Sequence, residues 1–162
     1  MNSKTTLHFF CGKMAAGKST LAKTLAEKHS AILLVEDEWL SELYPDEITN
    51  IPDYLKYSSR LQNLLLNHIK SLLSSGLSVV LDFPANTENQ RNWFRLIFKE
   101  KNIPHILHYI DKSDEKCKEQ LQLRSKNKPE GSPFTTDKEF DVINKYFQAP
   151  LETEGFNIIR YE

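Results

Sequence analysis

The chain has 162 residues, of which 40% are hydrophobic and 27% are charged, and its formal net charge is −1. This size and composition are typical of one ordinary globular domain, and we expect residues 1–162 to form a single domain around one core. The near-zero charge excludes a global basic field that would attract nucleic acid, although it leaves a local basic groove open. The two isolated cysteines, Cys11 and Cys117, lack the spacing of a zinc site or a disulfide framework.

The chain shows no apolar segment with the length of a membrane span or of a signal-peptide core. We therefore expect a cytoplasmic protein without a membrane partner. The sequence carries no information on the oligomeric state.

Short apolar segments alternate with helical patterns along the chain. The apolar segments have the continuous character of strands buried on both faces, and the helical patterns repeat near 3.6 residues. The sequence therefore predicts an α/β architecture of three layers, with a parallel sheet between helices. The strands are predicted at 7–11, 31–35, 78–82, 105–111 and 156–161, and the helices at 20–28, 54–73, 87–101, 113–125 and 136–147.

A phosphate-binding pattern follows the first predicted strand, because residues 12–19 fit G-x-x-x-x-G-K-[ST] at every fixed position. Gly12 and Gly17 can adopt backbone angles that a Cβ would forbid, so successive N–H groups can face an anion at the start of the next helix. Lys18 would reach the β- and γ-phosphates of a nucleotide. A chance glycine-rich turn is the alternative, and the flanking strand and helix argue against it. The predicted nucleotide-binding residues are Gly12, Lys13, Met14, Ala15, Ala16, Gly17, Lys18, Ser19 and Thr20.

Carboxylates follow two further predicted strands. Asp82 ends an apolar segment, as in a Walker B element, and we expect it to hold Mg²⁺ together with the hydroxyl of Ser19. Asp37 lies just past the second strand and can act as general base or orient an acceptor hydroxyl, with Glu36 and Glu38 as the other carboxylates there. A structural role is the alternative for both residues. Asp82 can cap the turn that follows the strand, and Asp37 can simply belong to the first turn of a helix, where acidic residues are favoured.

Several basic residues follow. Arg91 and Arg95 share one face of a predicted helix and can bind substrate or γ-phosphate or be solvated; we favour function for Arg91 because it is nearer the helix start. We expect a lid at about 124–135 that excludes water and places Arg124 on the transferring phosphoryl group. The helix dipole alone would also favour a cation at this helix end. The roles of Arg95, Lys126 and Lys128 stay open.

Segments 12–20, 36–40 and 80–87, together with Arg124, resemble the bacterial AAA-domain-containing ATP-binding proteins. That group is similar to P-loop kinases such as chloramphenicol phosphotransferase, zeta toxins and the kinase domain of polynucleotide kinase. The resemblance implies a P-loop NTPase fold like that of nucleoside-monophosphate kinases, with five parallel strands in the order 2-3-1-4-5. It also implies ATP and Mg²⁺, Asp37 as the carboxylate that activates the acceptor hydroxyl, a substrate or phosphate contact near Arg91, and a lid arginine at Arg124. A second lid arginine is missing, and Lys126 or Lys128 cannot reproduce its planar fork.

The predicted function is transfer of the γ-phosphoryl group of ATP·Mg²⁺ to a hydroxyl of an unidentified small molecule, nucleotide derivative or nucleic-acid end. The alternative is a nucleotide-dependent ATPase or switch that binds a partner without phosphorylating it. The position of Asp37 opposite the phosphate loop favours the kinase. Residues 127–130 match the guanine-binding pattern N-K-x-D only superficially, because they end in Glu and follow a helix, so ATP is favoured over GTP.

Overall fold

The computed structural model describes residues 4–132 and 134–162, so Pro133, which falls in the predicted lid, lies outside the described residues. Strands and helices alternate along the chain. The strands are β1 Leu7–Gly12, β2 Ile32–Val35, β3 Val79–Pro84, β4 His105–Ile110 and β5 Ile158–Tyr161. The α-helices are α1 Lys18–His29, α2 Glu36–Leu43, α3 Ile51–Ser74, α4 Glu88–Phe98, α5 Asp114–Ser125 and α6 Asp137–Asn144, and a short 3₁₀ helix covers Glu152–Glu154.

The five strands form one sheet in the order β2-β3-β1-β4-β5, and every neighbouring pair is parallel. This confirms the α/β fold and the strand order implied by the family resemblance. Because the carboxyl ends of parallel strands meet at one edge of a sheet, the loops that follow β1, β2 and β3 are neighbours in space. This edge is where the functional residues were predicted.

Helices cover both faces of the sheet. On one face, Phe9 and Leu81 pack in a core that includes Leu61 and Leu65 of α3 and Phe94 of α4. The opposite face carries a cluster in which Phe10 and Val80 meet Ala22, Leu25 and Ala26 of α1. A third cluster joins Ala16, Ile110, Cys117, Leu121 and Phe140, so α5 and α6 pack next to the phosphate-loop segment. The central strand β1 is buried along its whole length, which fixes the starting point of that loop.

The boundaries of several elements differ from the predicted ones. The helix predicted at 54–73 begins at Ile51, because the side chain of Asn50 caps it by accepting from the backbone N–H of Asp53 at 2.8 Å. The segment Glu36–Leu43 is a separate helix with three acidic residues in its first turn, rather than only a strand end. Strand β5 starts only at Ile158, because the chain first forms the 3₁₀ helix Glu152–Glu154 and leaves it through the C-cap Gly155, whose φ is 78°. Helix α3, with 24 residues, is the longest, but within the described ranges no helix is long and apolar enough to cross a membrane.

Candidate active site

The phosphate loop joins the end of β1 to the start of α1. Gly17 and Ala15 have positive φ values of 105° and 63°, so one of the left-handed positions is occupied by alanine. Gly12, in contrast, does not have a positive φ, so the prediction that it needs a special backbone angle is wrong. Glycine is needed there because of a close approach. A Cβ at Gly12 would lie 3.2 Å from the carbonyl oxygen of Ile110 and 3.3 Å from the Cβ of Ala16. Glycine therefore allows β1 to approach β4 closely at the point where the loop begins.

The lysines of the loop have different surroundings. Lys18 Nζ donates to the carbonyl oxygens of Gly12 and, at 3.0 Å, of Lys13, and burial lowers the pKa of Lys18. Lys13 Nζ is 2.7 Å from Asp114 Oδ1 at the start of α5, which holds this side chain in an ion pair. Lys18 therefore lies inside the curve of the loop, while Lys13 braces the loop against the neighbouring element.

The other predicted nucleotide-binding residues occupy the rest of the loop and the first turn of α1. Met14 and Ala15 pack against the cluster around Phe140, and Ala16 is buried in it. Ser19 and Thr20 are exposed in the first turn of the helix. Among the described residues, the hydroxyl of Ser19 contacts a predicted metal ligand, Asp82.

Ser19 and Asp82 lie side by side at the edge of the sheet, because the Ser19 hydroxyl donates to Asp82 Oδ2 at 2.7 Å. Burial raises the pKa of Asp82; the hydrogen bond from Ser19 lowers it, and the nearby charges of Asp37 and Glu38 raise it further. A cation at this pair would stabilise the ionised carboxylate, and both groups offer the oxygen ligands that Mg²⁺ prefers. Within residues 4–132 and 134–162, no group of three or more His, Cys, Asp or Glu side chains could hold a metal. Ser19 and Asp82 offer two oxygen ligands, so an ion bound by them would have room for further ligands from a nucleotide.

The carboxylates after β2 have contrasting environments. Asp37 is exposed in the first turn of α2, two residues beyond Val35, which pairs with Asp82 in the sheet. Glu36, in contrast, is only 1% exposed and accepts hydrogen bonds from the hydroxyl of Tyr54 and, at 2.8 Å, from that of Ser58.

Glu36 therefore ties α2 to α3, and burial raises the pKa of Glu36 to about 7. Asp37 rather than Glu36 presents its carboxylate to the open edge of the sheet.

Arg124 lies in the last turn of α5 and its side chain is exposed. Desolvation lowers the pKa of Arg124, and the charge of Asp37 acts in the opposite direction, so these two side chains are close enough to interact. In the part of the chain that the structure describes, Arg124 forms neither a hydrogen bond nor an ion pair through its side chain. Lys126 and Lys128 follow it in an exposed turn. Arg124 is thus within electrostatic reach of Asp37.

The structure corrects the predicted role of Arg91, whose side chain is fully buried. Its Nε donates to Glu154 Oε2 at 2.8 Å and its Nη2 to Glu154 Oε1 at 3.1 Å. Its Nη1 donates to the carbonyl oxygens of Ala85 and Gln148 at 3.0 and 2.8 Å. These contacts engage Arg91 inside the protein, where it braces the C-terminal segment instead of facing a substrate or phosphate.

Arg95 braces the same segment as Arg91. It donates to the carbonyl oxygen of Glu154, and its guanidinium lies 4.3 Å from the ring centre of Phe156. These contacts tie Arg95 to the C-terminal segment.

Asn86 is a residue of the site that the sequence analysis did not single out, and it directly precedes Thr87, the N-cap of α4. The Asn86 side chain accepts from the backbone N–H of Gly12 at 2.9 Å, at the start of the phosphate loop. Its own N–H donates to Gln90 at 2.8 Å, and its carbonyl accepts from the N–H of Gln148 at 2.8 Å. The Asn86 side chain therefore anchors the loop to the segment after β3, and the Asn86 backbone carbonyl ties that segment to the C-terminal segment.

The phosphate loop after β1, the Ser19–Asp82 pair and the sheet order 2-3-1-4-5 define a P-loop NTPase with the fold of the P-loop kinases. The model of the family described as AAA domain matches residues 7–150, and the chain belongs to that family. None of the curated proteins matches the sequence.

Solved structures share the fold at low sequence identity. APS kinase from Mycobacterium tuberculosis, in complex with AMPPNP and APS, is 17% identical with a TM-score of 0.66, covering 98% of this chain and 90% of that chain. Kti12 from Chaetomium thermophilum, in complex with ADP-AlF3, is 14% identical with a TM-score of 0.67 over 96% of this chain and 89% of that chain. A gluconokinase from Sinorhizobium meliloti is 14% identical with a TM-score of 0.60, over 98% and 83% of the two chains.

Proposed function

We propose that this protein is an ATP-dependent phosphotransferase that moves the γ-phosphoryl group of ATP·Mg²⁺ to a hydroxyl group of an acceptor. The observation that carries the proposal is the meeting of three features at one edge of the sheet. These are the phosphate loop after β1, the Ser19–Asp82 pair at 2.7 Å, and Asp37 beyond β2. The strands β2, β3 and β1 are adjacent, so donor and acceptor chemistry have their groups side by side.

The donor half of the site consists of the loop residues and the metal ligands. The backbone N–H groups of residues 13–19 would bind the phosphates at the N-terminus of α1, with the ammonium of Lys18 on the β- and γ-phosphates. Ser19 and Asp82 would hold Mg²⁺, which when bound neutralises charge on the β- and γ-phosphate oxygens. Asn86 keeps the first residue of the loop, Gly12, in place for this binding.

The acceptor half is centred on Asp37. In the transfer step, the acceptor oxygen forms a bond to the γ-phosphorus, the bond from that phosphorus to the β–γ bridging oxygen breaks, and ADP leaves. The hydroxyl proton passes to the Asp37 carboxylate, which is exposed and can therefore reach a bound acceptor. Arg124 lies near Asp37, and its guanidinium would stabilise the charge on the transferring group.

The donor half is tested by calorimetry with ATP and Mg²⁺. Lys18→Ala should abolish measurable ATP binding, because it removes the ammonium inside the loop. Lys23→Ala, which removes an exposed cation from the same helix, is the matched control and should bind as the unmodified protein does. Equal affinity of the Lys18→Ala variant and the control would contradict the assignment of the phosphate loop.

The acceptor half is tested by turnover of ATP with a library of hydroxyl-bearing metabolites. Asp37→Asn should lower acceptor-dependent turnover by about 10²-fold or more, as expected for loss of a general base. Glu42→Gln changes an exposed carboxylate at the other end of α2 and should leave turnover unchanged. Slow hydrolysis of ATP that no acceptor stimulates and that Asp37→Asn leaves unchanged would instead indicate the ATPase or switch.

A further inference from the structure

Lys112 brings an additional cation to the phosphate loop. It follows β4, the strand that pairs with β1, and so enters the carboxyl edge of the sheet beside the loop. Its Nζ atom lies 3.8 Å from the position that a Cβ would take at Gly17. Gly17 is the N-cap of α1, where the N–H groups and the dipole of a helix concentrate positive charge.

The carboxylates nearest to Lys112 in the sequence are engaged by other cations. Asp111 accepts from Arg160, whose Nε atom is 3.1 Å away, and Asp114 forms its ion pair with Lys13 at 2.7 Å. Within the described ranges the Lys112 side chain has no hydrogen bond or ion pair of its own. A half-buried ammonium thus stands next to the positive end of a helix without a neutralising partner, an arrangement that an anion would stabilise.

The buried thiol of Cys117 lies within electrostatic reach of three lysines and of Asp114. Burial raises the pKa of Cys117, and the charge of Asp114 acts in the same direction. The ammonium groups of Lys13, Lys18 and Lys112 all act to lower it. The three lysines therefore lie around one region of the molecule. Among the described residues, Lys13 has an ion pair with Asp114 and Lys112 has none, so the Lys112 ammonium is available to an anion at the loop.

We infer that Lys112 is a further phosphate-binding residue, which contacts the polyphosphate chain of the nucleotide on the Gly17 side of the loop. This inference rests on the proposed function, because it requires a nucleotide in the phosphate loop. The ligand chemistry is that of a di- or triphosphate, and neither the base nor the ribose takes part in the contact.

Calorimetric titration of the full chain with ATP and with inorganic tripolyphosphate tests the inference. Lys112→Met should raise the dissociation constants of both ligands by about tenfold, the value of one partly exposed charge-assisted hydrogen bond. Lys112→Arg should retain most of the affinity, because it keeps the charge and the donors. Lys116→Met removes an exposed cation from the first turn of α5 and serves as the matched control, with unchanged affinity expected.

Each contrary result has a distinct meaning. Unchanged affinity of Lys112→Met, or an equal loss in Lys116→Met, would overturn the inference and leave the proposed function standing. A loss for ATP without a loss for tripolyphosphate would place Lys112 on the nucleoside and also overturn it. Failure of the unmodified protein to bind either ligand would overturn the phosphate-loop assignment itself, and this inference with it. Circular dichroism of the variants checks that all of them are folded.

Discussion

The buried histidines of β1 and β4 should make folding stability fall as the pH drops below 7. His8 and His108 are 3% and 2% exposed, and His8 Nδ1 lies 2.9 Å from His108 Nε2. His108 Nδ1 is 2.8 Å from the hydroxyl of Tyr161, and the ring of His29 stacks on that of His8. Burial lowers the pKa of both His8 and His108 to about 4, and the neighbouring imidazoles add to the effect.

The sign and the size follow from proton linkage. The unfolded chain binds protons at these histidines below pH 6.5, whereas the folded protein binds them only near pH 4, so acid favours unfolding between these values. Between pH 7 and pH 5 each histidine should lower the free energy of unfolding by about 2 kcal/mol, and the pair by about 4 kcal/mol. Glu36 acts oppositely, because its pKa of about 7 in the folded protein lies above the ordinary 4.5. Because the folded protein takes up a proton at Glu36, this residue offsets about 2 kcal/mol of the loss in the free energy of unfolding between pH 7 and pH 5.

Urea denaturation followed by far-UV circular dichroism between pH 5 and pH 8 measures this dependence. Because Glu36 is common to all variants, the difference between proteins isolates the histidines. The variant with His8→Gln and His108→Gln should lose about 4 kcal/mol of the acid-induced change, whereas His68→Gln, at an exposed site, should retain all of it. An unchanged pH dependence in the double variant would refute the reasoning from burial.

Three further substitutions test the site and its supports. Arg91→Met breaks a buried ion pair and should lower the free energy of unfolding by about 3–5 kcal/mol; a urea midpoint close to that of the unmodified protein would contradict the brace. Asn86→Ala removes the acceptor of the Gly12 N–H and should raise the dissociation constant of ATP about tenfold in calorimetry, whereas the exposed Asn89→Ala should not. Asp82→Asn should raise the Mg²⁺ concentration needed for half-maximal turnover about tenfold or more, and an unaltered requirement would exclude this carboxylate as a metal ligand.

Much of the fold is encoded in local patterns. Each strand is a short apolar segment, and the phosphate-loop motif marks both the end of β1 and the start of α1. The alternation of strands and helices could therefore be predicted. The errors lie where short elements follow one another closely. Helix α2 has 8 residues and starts directly after β2, and the start of β5 depends on a 3₁₀ turn that has no periodic pattern.

The parts of the site that escaped prediction depend on contacts between distant residues. Asn86 meets Gly12 across 74 positions, and Arg91 meets Glu154 across 63. Function was predicted for Arg91 because it lies near the start of its helix, but the sequence could not show that the C-terminal segment returns to cover it. Local patterns thus identify the groups with chemistry, while the tertiary packing decides which of them face the open edge of the sheet.

The most direct test of the central claim follows the γ-phosphorus of labelled ATP. With Mg²⁺ and a hydroxyl acceptor found in the turnover screen, the label should appear on the acceptor in the unmodified protein. It should fail to appear there with Lys18→Ala, and appear about 10²-fold more slowly with Asp37→Asn. Label found only in inorganic phosphate, at one rate in the unmodified protein and in Asp37→Asn, would contradict phosphoryl transfer to an acceptor.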